Sequence, residues 1–440
     1  MFTKIRFKLE IIYLYLKRHK LILTFLTLIL AILFLFRKNL VVKYNQYFPK
    51  IEKIGIEGQY KYYNLPKNIS QKISYGLTTG NHTGHFDISP LIEKIDINEE
   101  KHEYNFTLKD NQYWHSGKEL VAKDFNYQIP GLSFTYPSSK QVIITSETAF
   151  SPILSTLSQP LIKKNLDGLG PFTVKKNLMA DGYLKRLDLR SADKFYSYRF
   201  YQSENDLINA FKIGEVDTIE ITSLPGELEK WPDLSINKKI QTDEKYIAVF
   251  INTSKFPEKQ FRQALAYATP KTTDLNDRAL SPISPDSWAY NPSVKNYNYD
   301  QQRAVDFFSK NKIDSINLVY NDQRLVSLAD NIKKSWEDTL GLKVNAQLTT
   351  QIDIQNYDTL LAYGSITSDP DQYLFWHSTQ SKTNLTKINH PPIDKLLEEG
   401  RQIFDLQERK KIYQEFQKIL LEECPAIFLK FPTVYTVSRK

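Results

Sequence analysis

The sequence predicts an α/β protein in which an N-terminal transmembrane helix precedes a body of two lobes or more. Three observations carry this. Leu21 to Phe36 is a run of sixteen residues without a charge. Residues 316–348 spell a strand, a helix and a second strand. The roughly 390 residues after the apolar run have an ordinary apolar content, too much for one core, so they divide into two lobes or more.

The apolar run is broken only by Thr24 and Thr27, and Leu40, Val41 and Val42 extend it. A spanning helix needs about 20 apolar residues, and roughly 17 suffice with help. Lys17, Arg18 and Lys20 precede the run and Arg37 and Lys38 follow it, placed to reach the headgroups. A buried core helix would show a polar face, and this run has none. A cleaved signal peptide would end in small residues, and large ones follow instead. The expectation is an uncleaved single-pass anchor over 21–42 behind a basic cytoplasmic segment, 1–20.

Charge sets the orientation. Residues 1–50 hold ten Lys and Arg against one Glu, so they carry +9 of a chain whose net charge is +8, and residues 51–440 sum to −1. The basic pI therefore belongs to the anchor region. No net basic field remains to recruit nucleic acid, so none is expected as a partner. Basic residues before Leu21 outnumber those from Arg37 to Lys43, which places the N-terminus inside and the rest outside the cell membrane. Cys424 is the single cysteine, so no intrachain disulfide forms. It lies far from the anchor, which excludes it as a lipid attachment site.

Element by element, the body alternates as α/β proteins do. Ile54 and Ile56, then Tyr104, Phe106 and Leu108, mark strands by their period of two, and 141–145 and 183–189 read the same way. Leu207, Ile208 and Phe211 sit at helical spacing before Gly214. Ile316 to Tyr320 is a strand. Leu325, Leu328, Ala329, Ile332 and Trp336 form one helix face that stops at Gly341, and Leu342 to Leu348 is the next strand. Such a unit implies parallel pairing through a right-handed crossover. Ile393, Leu396, Leu397, Ile403 and Phe404 make a helical stripe. Asp405 with Glu408 opens another helix, whose stripe runs from Ile412 to Leu420 and ends before Pro425.

Several ordered motifs then carry a resemblance. Tyr104-Asn105-Phe106-Thr107-Leu108-Lys109-Asp110 is followed by Trp114-His115-Ser116-Gly117 and Ala122-Lys123-Asp124-Phe125. Gly168-Leu169-Gly170-Pro171-Phe172 and Gly214-Glu215-Val216-Asp217 come next. Asn252 with Phe261-Arg262-Gln263-Ala264-Leu265, Asp369-Pro370-Asp371 and the stretch from Asn389 to Pro425 complete the set. Together, over about 75–432, they resemble the peptide-type, family 5, extracytoplasmic solute-binding proteins of ABC importers. The resemblance implies a periplasmic-binding-protein-like fold of type II, with two α/β lobes joined by two crossing strands that act as a hinge. It places lobe one at 51–243, completed by 432–440, and lobe two at 244–431. The chain is shorter than the larger members, so no additional subdomain is expected in lobe one. The implied function is to bind a peptide or other small solute as a monomer and deliver it to ABC permease subunits, with no cofactor.

The resemblance also ranks residues. Gly117, Gly168 and Gly170 are expected at tight turns or close backbone approaches, Asp124 as the cap of a following helix, and Trp114 and Arg262 in the scaffold. The ligand-facing segment is Leu360 to Ile366. Tyr363 falls where the family places an aromatic, followed by Gly364, Ser365 and Ile366, with Asp369 close behind. Tyr75, Tyr246 and Trp288 are further aromatic candidates. In peptide-binding relatives this strand ends in an Asp that takes the peptide's amine. Ile366 stands at that position here, so a charge-assisted partner is missing. Asp369 and Asp371 are the nearest carboxylates. Blocked peptides and glycan fragments remain open alternatives to free peptides.

Other functions find less support. There is no Gly-x-Ser-x-Gly elbow, no His-Glu-x-x-His and no phosphate loop, so catalysis is not expected. His82, His85, Asp87, His102 and His115 fall within 34 residues and could ligate zinc or nickel, but His82 and His85 sit in a Gly/Thr-rich loop and read as solvated loop histidines. A metal-binding solute protein therefore stays an alternative without an assigned metal site. An extracellular receptor or chaperone-like protein without an importer is the other alternative.

Overall fold

A computed structural model describes residues 18, 50–80, 86–272, 274, 276–309, 313–349, 353 and 356–440. The expected spanning segment over 21–42 and the histidines at 82 and 85 lie outside the described residues. Among the described residues no helix is long and apolar enough to cross a membrane.

Two sheets organise the body. The first has seven strands in the order Leu234–Ile240, Thr433–Arg439, Thr218–Ile221, Ile51–Glu57, Phe195–Tyr201, Tyr183–Arg190 and Thr173–Ala180. The second has five, in the order Lys343–Leu348, Ser315–Tyr320, Thr359–Ser365, Lys245–Ile251 and Ala426–Lys430. The backbone passes between them twice, once from Ile240 to Lys245 and once from Lys430 to Thr433. The two crossings touch, since Gln241 N donates to Pro432 O at 2.9 Å.

The strand–helix–strand unit forms as its spacing predicts. Ser315–Tyr320 and Lys343–Leu348 pair in parallel. The helix Val326–Leu340 buries Ala329, Ile332, Trp336 and Leu340, and ends at Gly341, whose φ of +66° suits a residue without a Cβ. Trp336 is fully buried, and its Nε1 donates to Thr269 Oγ1 at 2.9 Å, so the ring's one polar group is satisfied.

Three local expectations are corrected. The helix that buries Ile393 and Leu397 spans Pro391–Gln402 and stops there, so Ile403 and Phe404 lie in the connection. The apolar residues continue because Phe404 packs against a different core, beside Tyr104. Asp405 does cap the next helix, Leu406–Glu423, accepting from Gln407 N and Glu408 N at 3.0 and 2.8 Å. Asp124 caps no following helix. It closes a short turn, Ala122–Asp124, and accepts from Trp114 Nε1, Val121 N and Lys163 Nζ. Burial alone would push its carboxyl up, yet those bonds hold it below the usual carboxylate range.

The third correction concerns the subdomain. Ile92–Asn98, Glu103–Leu108, Gln141–Ser146 and Leu132–Ser138 form a separate four-stranded antiparallel sheet. Tyr104, Phe106, Trp114, Phe125 and Ile144 build it a core of its own. It leans on the second sheet's side, with Ser151 N donating to Arg401 O in the helix Pro391–Gln402 at 2.7 Å and Ser155 Oγ bonded to Ser368 Oγ, in the loop after Thr359–Ser365, at 3.0 Å.

Gly168 and Gly170 sit where backbones meet. A Cβ on Gly168 would lie 2.1 Å from Ile73 O, and one on Gly170 would lie 2.5 Å from Lys72 O. Gly168→Ala should therefore destabilise by about 1–3 kcal/mol through forced repacking, and Asp405→Ala by about 1 kcal/mol through loss of a cap. Urea unfolding of both variants checks the order; Asp405→Ala proving the more damaging would contradict it.

Candidate functional site

The strand Thr359–Ser365 leads to the site. Its Leu360, Leu361 and Ala362 are buried, while Tyr363 is half-buried and Ser365 exposed. Just past its end, Ile366 N donates to Glu244 O at 2.9 Å, which ties the strand to the first crossing segment. Neighbouring residues along a strand face opposite sides. Tyr246, Phe250 and Gly364 thus share one face, and Ile247 and Tyr363 the other.

On the Tyr363 face lies a cleft of about 690 Å³. Glu57, Glu204 and Thr222 line it from the first sheet's side, Arg324, Asn331 and Tyr363 from the second, and Lys430, Pro432 and Thr433 at the crossing. Lys245 Nζ stands 4.9 Å from the Tyr363 ring centroid, and the Arg324 guanidinium 5.9 Å from it. Both are within cation–π range.

Local sequence explains the charged wall. Asp322 caps the turn Gln323–Leu325 by accepting from Arg324 N at 2.9 Å, and the same carboxylate takes the Arg324 guanidinium. Arg324 then spans the cleft, and Glu57 Oε2 accepts from its Nη1 at 2.9 Å. Glu57 is the last residue of the strand Ile51–Glu57. Burial raises its carboxyl, with Arg324 pulling it back in part. Glu204 opens the helix Glu204–Lys212 and accepts from Thr222 N, Thr222 Oγ1 and Ser223 N.

On the other face is a smaller cavity of about 190 Å³, lined by Tyr246, Phe250, Phe375, Trp376, Leu385 and Gly364, with Ser365 and Thr386 among its polar neighbours. A Cβ at Gly364 would lie 2.2 Å from the Tyr246 ring, so the glycine lets that ring lie against the strand. Apolar cavities of about this size accept a benzene-sized group.

The sequence-derived candidates therefore separate. Tyr363 borders both cavities, and Tyr246, Gly364 and Ser365 border the aromatic one. Ile366 packs against the second lobe's core. Tyr75, Trp288 and Asp369 line neither cavity. Tyr75 packs on the subdomain core. Trp288 meets Tyr413 edge-on, under the Arg409 guanidinium. Asp369 is buried and accepts from Arg409 Nη2 and Nη1 at 2.8 and 3.1 Å. Asp371, raised by burial, faces Arg401 at 3.1 Å. Neither carboxylate is free to stand in for Ile366. Sequence reasoning missed Arg324, Glu57 and Glu204. The Asp322–Arg324 pair ahead of a predicted helix and the acidic end of the first strand were the available signals.

The model of the bacterial extracellular solute-binding proteins, family 5 Middle, matches residues 132–385, more than half of the chain. The chain belongs to this family. Among its relatives, the oligopeptide-binding protein AppA of Bacillus subtilis is 22% identical over 421 residues, covering 75% of each chain. The probable D,D-dipeptide-binding periplasmic protein DdpA of Escherichia coli is 22% identical over 410 residues, covering 75% of this chain and 76% of its own. The structure of NikZ from Campylobacter jejuni in complex with Ni(L-His) superposes with a TM-score of 0.74 at 21% identity, over 89% of this chain and 94% of NikZ. AppA in complex with a nonapeptide gives 0.72 at 18% identity, over 89% and 95%. At these identities the structures share the fold, the two-lobed one of periplasmic binding proteins.

In this family member the Asp369–Arg409 pair is a scaffold. Each side chain is 4% exposed. Arg409→Met leaves a buried carboxylate without its cation and should cost about 3–5 kcal/mol, whereas Arg409→Met with Asp369→Leu should recover most of it. Denaturant midpoints of the two variants decide this; equal losses in both would mean that the pair's charges do not set the cost.

Proposed function

We propose that the chain is the membrane-anchored, extracytoplasmic substrate-binding component of an ABC importer. It takes a peptide or peptide-like solute between its lobes and delivers it to permease subunits. The observation that carries this reading is the cleft walled by residues from both sheets and by the second crossing, Lys430 to Thr433, in a member of a solute-binding family. In this reading the lobes, 51–243 with 432–440 and 244–431, move about Gln241–Glu244 and Phe431–Thr433, and one monomer binds one solute. Tyr363 is the residue common to the charged cleft and the aromatic cavity. A solute with a charged or polar part and an apolar side chain matches both. Relatives that hold peptides support the peptide class, and the NikZ complex makes a metal–amino-acid chelate the alternative.

Mass spectrometry and elemental analysis of molecules released from the purified full-length protein on denaturation test the class. Peptides should be recovered; stoichiometric nickel without peptide would move the assignment to a chelate. Adding the recovered solute should lower the radius of gyration in solution scattering and raise the melting temperature, by about 2.7 kcal/mol of added stability at a hundredfold excess over Kd. A bound solute with an unchanged scattering profile would argue against lobe closure.

The anchor rests on the apolar run at 21–36 and its basic flanks. External protease on intact cells should digest the binding domain and leave a membrane-embedded N-terminal fragment. Full protection of residues 45–440 would reverse the assigned topology.

A further inference from the structure

We propose that Glu57 is the residue through which this cleft recognises an ammonium group of its solute. The inference rests on the peptide or peptide-like reading above and deepens it by naming the charge the site selects.

Four other carboxylates near the cleft and the strand end are already engaged. A carboxylate has two oxygens and about four acceptor sites. Glu204 has both oxygens engaged by Thr222 and Ser223. Asp322 is taken by the backbone and guanidinium of Arg324. Asp369 lies buried against Arg409, and Asp371 faces Arg401 while accepting from Tyr373 N. Glu57 differs. Among the described residues its side chain accepts only from Arg324, through Oε2, and Oε1 takes no hydrogen bond. Its side chain is 27% exposed, on the wall of the 690 Å³ cleft.

A half-buried carboxylate with an unused oxygen suits a donor-rich cation. An ammonium group offers three N–H donors and no acceptor, so it can occupy Oε1 while Arg324 keeps Oε2. The Tyr363 ring, which borders the same cleft and already faces two cations, presents a π surface nearby. Glu57 comes from the first lobe and Tyr363 from the second. An ammonium held by both bridges the lobes, so recognising the charge and closing the cleft become one event. Glu57 thereby supplies, from the opposite wall, the negative charge that Ile366 does not provide.

The test uses the full-length protein, immobilised and exposed to an equimolar library of randomised tetrapeptides in free-amine and N-acetylated forms, with retained peptides counted by mass spectrometry. Free-amine peptides should be retained about tenfold or more over acetylated ones. Glu57→Gln, similar in shape but uncharged, should bring the retention of the two forms to within about twofold of each other. Glu57→Asp keeps the charge but withdraws it by one methylene, and should fall between; it carries the test if circular dichroism shows Glu57→Gln unfolded. Equal retention of both forms by the natural protein overturns this inference and leaves peptide binding standing. A free-amine preference that survives in Glu57→Gln, or is undiminished in Glu57→Asp, also overturns it. Retention of neither form overturns the peptide reading and this inference together.

Discussion

The paired crossing between the two sheets is the constraint on which the rest of this structure depends. Gln241–Glu244 and Phe431–Thr433 run side by side, bonded through Gln241 N and Pro432 O. The segment after the second crossing is a working strand of the first sheet. Thr433–Arg439 inserts between Leu234–Ile240 and Thr218–Ile221, so the last described strand completes the sheet that the first described strand, Ile51–Glu57, belongs to. Val437 is fully buried there. The first lobe is therefore unfinished until the whole second lobe has been made, and its apolar edge is covered by residues nearly four hundred positions from Ile51.

The same arrangement creates the cleft. Strands that end at the crossing bring their last residues together, which is why Glu57, Tyr363 and Lys430, far apart in sequence, face one space. Removing water from such a space strengthens each charge–charge contact and penalises each unmatched one. The wall obeys that rule almost throughout: Glu204 is held by Thr222 and Ser223, and Asp322 by Arg324. The Glu57–Arg324 contact is the exception, because it joins opposite walls and so depends on how near they stand. A bond of this kind can be remade without breaking the scaffold of either lobe.

Behind the cleft the charges serve a different purpose. Arg262 donates to Phe256 O, Pro257 O and Glu423 O, and Arg409 to Gly400 O and Asp369. Each guanidinium ties the carbonyls of a helix end or a turn that would otherwise be buried without partners. Cys424 sits at the C-terminal end of Leu406–Glu423, fully buried, its thiol pushed up to about 11 by burial. It acts as a packing residue in that helix end.

Much of the α/β order could be read from the chain alone, because strand and helix periods are local. The unit from Ser315 to Leu348, the glycine stop at Gly341 and the cap at Asp405 each depend on neighbours within a few residues. The ordered motifs from Tyr104 to Pro425 identified the family, since spacing along a chain is also a sequence property. The anchor proposed at 21–36 rests on length and flanking charge alone. Tertiary structure alone decided which residues share the site. Asp369 looked available until Arg409, 40 positions later, proved to hold it. Trp288 and Tyr75 looked like pocket aromatics until packing placed them on separate cores. Phe404 continued a helical stripe in sequence but serves the subdomain in space. Glu57 and Arg324 carry no motif, and their meeting across the cleft comes from the way two sheets are set by the crossings. Long-range burial and charge pairing are properties of the assembled fold, so no local pattern could announce them.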